Sequence, residues 1–160
     1  MVAVLRANKI IYMDSVETTK TVRAISRTGA MLPAQCTAVG KAQLAFLPTS
    51  EIERLLPDAN LSTLTPRSIK SRDLLLSELK AIADKGYAIE NEECDLEVKS
   101  VAAPIRDFSK NVVAAVGIVA PASRLTDEKI EKGGIAQLIM EAGAAISAKL
   151  GFIASYTKHK

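Results

Sequence analysis

Between residues 135 and 150 the side chains of Ile135, Leu138, Ile139, Ala142, Ile146 and Leu150 return at spacings of three and four. That period predicts a helix with one apolar side, which needs another layer to bury it. Thr126 is the expected N-cap, and Lys149 with Gly151 supplies the terminal cation and the stop. The segment just before it offers the partner layer. Residues 100–106 and 111–120 are rich in Val, Ile and Ala and read as the arms of a hairpin around Asp107-Phe108-Ser109-Lys110.

The rest of the chain fits around that pair. Residues 2–5 and 10–15 read as strands joined at Asn8-Lys9, with a third strand near 22–26 and a turn region over 29–33. Ala38, Ala42, Ala45 and Phe46 give a following helix a small apolar face. Ser50 and Glu53 match a capping box that starts a short second helix. Residues 57–66 lack periodicity and predict a loop. Ser71 caps a third helix with Asp73 in its first turn, a buried stripe of Leu75, Leu79 and Ile82, and Gly86 as its stop. Another strand begins at Tyr87. Strands, then helices, then strands and a helix argue for an α+β domain on an antiparallel sheet.

Composition removes several classes. A chain of 160 residues is long enough to bury about two-thirds of its unfolded surface as one domain. Although 48% of residues are apolar, no run approaches the ~20 that a membrane span needs, and no leader pattern is present. A soluble cytoplasmic protein is the expectation. The net charge of +3 is mixed along the chain apart from Lys158-His159-Lys160, which is no footprint for nucleic acid. Cys36 and Cys94 form no C-x-x-C pair, so neither a disulfide framework nor a zinc site is suggested. The single histidine, His159, lies in the tail, so Ser or Cys catalysis lacks its usual base.

One stretch points to binding. In Leu32-Pro33-Ala34-Gln35-Cys36-Thr37-Ala38-Val39-Gly40-Lys41-Ala42 a proline-fixed turn runs through small residues into a helix. Amides of a first helical turn lack intrahelical acceptors and carry partial positive charge, so Thr37, Ala38, Val39 and Gly40 are a candidate anion seat. A tightly packed loop whose small residues serve close approach is the alternative. Gly40-Lys41 is not a phosphate loop, because Gln35 and Ala42 stand where that motif needs glycine and Ser or Thr. Lys41 is then expected at the surface or paired on its own helix.

That run, together with Thr65-Pro66-Arg67-Ser68-Ile69, Gly86-Tyr87, Val101-Ala102-Ala103-Pro104-Ile105 and Ile146-Ser147-Ala148-Lys149-Leu150-Gly151, resembles the effector-binding domain of IclR-family bacterial transcription regulators. The resemblance covers residues 1–151 and leaves 152–160 as a tail. It implies a GAF-like or PAS-like fold, a curved sheet flanked by helices. Members carry a winged helix-turn-helix before this domain, so Met1 is expected to be a truncation start. Operator DNA would be reached only through that N-terminal domain. Homodimers or homotetramers are implied, and neither cofactor nor metal.

The resemblance also implies site residues. An acidic residue at the position of Glu90 and a small one at Ser100 line the family's pocket, with backbone around Ala38 and Val39. Members that bind short keto acids use hydroxyls where this chain has Gly117 and Val119, which turns the expectation away from glyoxylate and pyruvate. A roomier pocket lined by Leu32, Val98, Ala102, Gly117 and Val119 suits a larger, partly apolar organic acid. Two other classes stay open. GAF-like folds include thiol-dependent reductases, which would need a reactive Cys94, but Asp95 and the neighbouring glutamates should raise that thiol's pKa. A protein-interaction module without a ligand is the other.

Overall fold

A computed structural model describes residues 1–21 and 27–153. Six strands form one curled antiparallel sheet in the order β3-β2-β1-β6-β5-β4. They are β1 (Val2–Arg6), β2 (Lys9–Asp14), β3 (Met31–Pro33), β4 (Ala88–Asn91), β5 (Val98–Arg106) and β6 (Val112–Pro121). The helices are α1 (Ala38–Leu44), α2 (Thr49–Leu55), α3 (Arg72–Lys85), α4 (Asp127–Glu131) and α5 (Ile135–Lys149), with a 3-10 turn at Ala34–Cys36. The α+β class with a curved antiparallel sheet is thus what the molecule has.

Period-two alternation divides the sheet's faces. Ala3, Ile10, Tyr12, Ala88, Ala102 and Ala115 point inward and form the main core with α1, α2 and α3. Val101 and Ala103 point the other way and pack with Leu125, Ile130, Ala136 and Ile139 of the α4–α5 layer. Because the inner face is lined with alanines, α1 sits low on it and every one of its residues is buried. Gly40 makes that descent possible: a Cβ there would lie 2.1 Å from the Ala34 carbonyl oxygen. Gln43 ties α1 to the first strand, accepting from Leu5 N–H at 2.8 Å and donating to the Val39 carbonyl at 2.8 Å.

The third helix matches its sequence reading. Ser71 Oγ accepts from Leu74 N–H, Asp73 lies in the first turn, Leu75, Leu79 and Ile82 are buried, and Gly86 ends the helix at φ 84°. Four readings need correction. The 29–33 turn region contains a strand, β3, because Leu32 and Met31 pair with Ile10 and Ile11. The third strand expected near 22–26 lies outside the described residues. No capping box forms at Ser50, since α2 begins one residue earlier, with Pro48 at its N-cap and no side-chain cap.

The last helix is two. Thr126 caps only the short α4, and α5 starts afresh after Gly134, whose φ of 79° breaks the helical path. The buried stripe of α5 is Ala136, Ile139, Gly143 and Ser147, whereas Leu138 is 64% exposed and Leu150 is exposed as well. Small residues face the sheet because α5 lies close against β5; a Cβ on Gly143 would stand 2.8 Å from the Pro104 carbonyl oxygen. Ser147 Oγ satisfies two backbone groups there, donating to Gly143 and accepting from Arg106 N–H.

Candidate functional site

Beyond the start of α1 the inner face of the sheet is uncovered, and a cavity of about 650 Å³ opens there. Register explains where it begins. Ala88, Ala102 and Gly117 form one cross-strand row, and Val39 packs onto it from α1. The next row outward is Glu90, Ser100 and Val119, with no helix above it, and these three line the cavity. Thr37, the α1 N-cap, closes one end with Tyr12 of β2 beside it.

Glu90 is the chemical centre of the buried end. It is 2% exposed and its Oε1 accepts the N–H groups of Glu93 (2.8 Å) and Cys94 (3.1 Å), while Oε2 accepts the Ser100 hydroxyl at 2.8 Å. Burial raises its pKa, and these three hydrogen bonds pull the other way. Tyr12 is shifted upward by burial as well. At the wall formed by residues 92–95, Arg27 forms an ion pair with Asp95 and its guanidinium lies 3.7 Å from Cys94 Sγ. Burial first and the Asp95 charge second push the Cys94 thiol up to about 12, so it is no ready nucleophile.

A second layer pins that wall. Lys41, wholly buried, donates to both oxygens of Glu93 at 2.7 and 2.9 Å and to Glu78 of α3 at 2.5 Å. Lys41 is therefore not the surface residue its sequence context suggests, and its partners lie on other elements. The Thr65-Pro66-Arg67-Ser68 turn holds the opposite side. Ser68 Oγ donates to the Glu93 carbonyl at 2.6 Å, Thr65 Oγ1 donates to the Glu92 carbonyl at 2.6 Å, and Arg67 pairs with Glu92 at 2.9 Å.

Of the residues singled out from sequence, the cavity brings together Thr37, Glu90, Val98, Ser100, Gly117 and Val119. Ala38, Val39, Gly40, Ala102 and Leu32 lie outside its lining. Ala38, Val39 and Ala102 are fully buried in the core behind it, Leu32 packs against that core, and the Gly40 N–H is taken by Thr37 Oγ1 at 3.1 Å. Sequence reasoning missed Tyr12, Arg27, Cys94 and Asp95 as lining residues. Tyr12 was accessible to it, since it shares the parity of Ile10 on β2. Arg27 carries no local signal. Among the described residues no group of three His, Cys, Asp or Glu is placed to hold a metal ion, and no helix is long and apolar enough to cross a membrane.

The sequence matches the family described as bacterial transcriptional regulator IclR C-terminal over residues 1–148. It is 32% identical over 149 residues to the HTH-type transcriptional regulator XynR of Escherichia coli, covering 93% of this chain and 58% of that protein. The crystal structure of Thermotoga maritima IclR superposes with a TM-score of 0.86 at 34% identity, over 94% of this chain and 60% of that one. The Agrobacterium tumefaciens repressor BlcR superposes with a TM-score of 0.87 at 27% identity, over 96% and 60%. The chain thus spans little more than half the length of the relatives it matches. Those relatives are transcriptional regulators, not enzymes, which together with the elevated Cys94 pKa removes the thiol-reductase reading.

Proposed function

The chain belongs to the IclR family of bacterial transcriptional regulators as its C-terminal, effector-binding domain, and we propose that it senses a small organic acid in the cavity beside α1. The observation that carries this reading is the cavity's build: about 650 Å³, lined by buried Tyr12, Thr37, Glu90 and Ser100 and by the more exposed Glu17, Lys20, Arg27, Asp95 and Arg124. A volume in this range, part apolar and with a few convergent polar groups, is that of a small-molecule site. Val98, Gly117 and Val119 line it, and Leu32, Ala38, Val39, Gly40 and Ala102 shape it from behind.

In the whole protein, operator DNA is bound through an N-terminal winged helix-turn-helix domain, in the bacterial cytoplasm, by a homodimer or homotetramer. The effector acts by binding one arrangement of the assembly better than another, so its differential affinity sets the size of the response. No chemistry is performed on it. A thermal-shift screen of this chain against keto, sugar and aromatic acids tests the reading. An acid at a hundred times its dissociation constant contributes roughly 2.7 kcal/mol of stability. A flat response across all three classes refutes acid sensing.

A further inference from the structure

The Tyr12 hydroxyl has no task in the fold. Its residue is held on both edges of β2: it stands opposite Ala3 of β1, its N–H donates to the Ala30 carbonyl at 3.2 Å, and its carbonyl accepts from Gly29 N–H at 2.8 Å. Sharing the parity of Ile10, the side chain points inward and packs in the main core, leaving the residue 7% exposed. A buried tyrosine hydroxyl ordinarily finds a hydrogen-bond partner. This one makes no hydrogen bond among the described residues. The fully enclosed polar side-chain atoms without a partner are Gln35 Oε1 and Arg72 Nε, so Tyr12 Oη, partnerless but not sealed in, opens onto the cavity that its residue lines.

The polar groups around it are engaged with one another. Thr37 Oγ1 donates to the Ala34 carbonyl and accepts from Gly40 N–H, and Ser100 donates to Glu90, which also accepts from two backbone N–H groups. Nearer the mouth Arg27 pairs with Asp95, and Glu17, Lys20 and Arg124 have partners as well. Burial first, then Cys94, Glu90 and Asp95 against the opposing pull of Arg27, keep the phenol protonated, so it carries a hydrogen to donate. Phenylalanine would pack the same ring without desolvating a hydroxyl. Resting on the reading of this cavity as the effector site, we propose that Tyr12 is a specificity-determining residue of it, its hydroxyl donating a hydrogen bond to an acceptor oxygen of the bound acid. That bond exists only in the complex, so the hydroxyl weakens the empty domain and strengthens the liganded one. An acid with no oxygen at that point leaves the donor desolvated and unpaired, the circumstance in which a site rejects a close analogue most strongly.

Tyr12→Phe separates this role from a structural one. Without effector the variant should melt within about 1 °C of the native chain or higher, because no hydrogen bond of the fold is lost. Calorimetry on the 160-residue chain with pyruvate, gluconate and benzoate, a keto, a sugar and an aromatic acid, should show the acid that binds losing about 3- to 100-fold in affinity, the range from a neutral to a charged acceptor. The chain has no Trp, so tyrosine absorption gives a second readout. Binding should move the near-ultraviolet tyrosine band of the native chain to longer wavelength, as a phenol does on donating a hydrogen bond, and the movement should be missing in Tyr12→Phe. Equal affinity in the variant, no Tyr12-dependent band shift, or a melting temperature several degrees lower overturns the role of Tyr12 and leaves acid sensing intact. Silence of the native chain toward all three acids at millimolar concentration overturns both.

Discussion

Replacing Lys41 by methionine tests the ion cluster behind the cavity. Methionine fills a similar volume without the charge, so the loss falls on Glu93, whose side chain is 9% exposed and which Lys41 clasps at 2.7 and 2.9 Å. Glu78 is less affected, being 37% exposed at its side chain. Removing one member of a buried pair strands the other, which costs about 3–5 kcal/mol. At roughly 2–4 °C per kcal/mol for a domain of this size, Lys41→Met should melt about 6–20 °C lower. The loss should depend on pH. Burial already raises the Glu93 pKa and Lys41 lowers it, so in the variant it rises further. A carboxyl whose folded pKa lies above its unfolded value favours folding when protonated, and that contribution fades as pH rises through the folded pKa. The deficit of the variant should therefore be largest near neutrality and shrink as pH falls toward the usual glutamate range. Lys41→Met/Glu93→Leu should recover much of the stability, because an apolar pair replaces an ion pair without a stranded charge. Urea titrations at neutral and acid pH decide it. A single-variant loss under about 1 kcal/mol, or one independent of pH, would refute the reasoning.

Two further outcomes can be checked on the same material. Ile139, 6% exposed against Val101, Ala103 and Ile130, should lose about 2–5 kcal/mol on Ile139→Ala, whereas Leu138→Ala should stay within about 0.5 kcal/mol; comparable losses in denaturant titrations would show the α5 face to be misassigned. With its thiol pushed up to about 12, Cys94 should alkylate slowly at neutral pH, at a rate that keeps climbing to about pH 10; a plateau below pH 9, read by mass spectrometry, would contradict the described environment.

The third helix was fully legible because its signals are local: a cap, a stripe of large side chains and a glycine stop. The last helix was legible as a helix but not in its facing. Periodicity weighs Leu138 above Ala136, Gly143 and Ser147, yet the close approach of α5 to Pro104 admits only small residues on the buried side. Lys41 reads as polar and exposed until Glu78 and Glu93 arrive from 37 and 52 residues away. At the site, the family resemblance pointed to Ser100, Ala102, Gly117 and Val119, and the register of β5 and β6 sets them in two adjacent cross-strand pairs. Which of them line the cavity depends on how far α1 reaches over the sheet: Ala102 is buried beneath it, while Ser100 and Val119 line the cavity. The helix start touches the cavity through Thr37 alone, so of the Thr37 to Gly40 stretch singled out as an anion seat only Thr37 faces that space.

The central claim is that an organic acid binds inside the cavity on the Glu90 face of the sheet, and filling that space tests it most directly. Val119 lines the cavity and is only half-buried, so Val119→Trp has room to place an indole there without invading the core beneath α1. The measurement is the dissociation constant, by calorimetry, of an acid found in the screen, for the native chain and for Val119→Trp of matched melting temperature. The account predicts that binding to the native chain is lost or weakened at least about 100-fold in the variant, since the ligand and the indole compete for one volume. Unchanged affinity in the folded variant would contradict it and place the effector elsewhere.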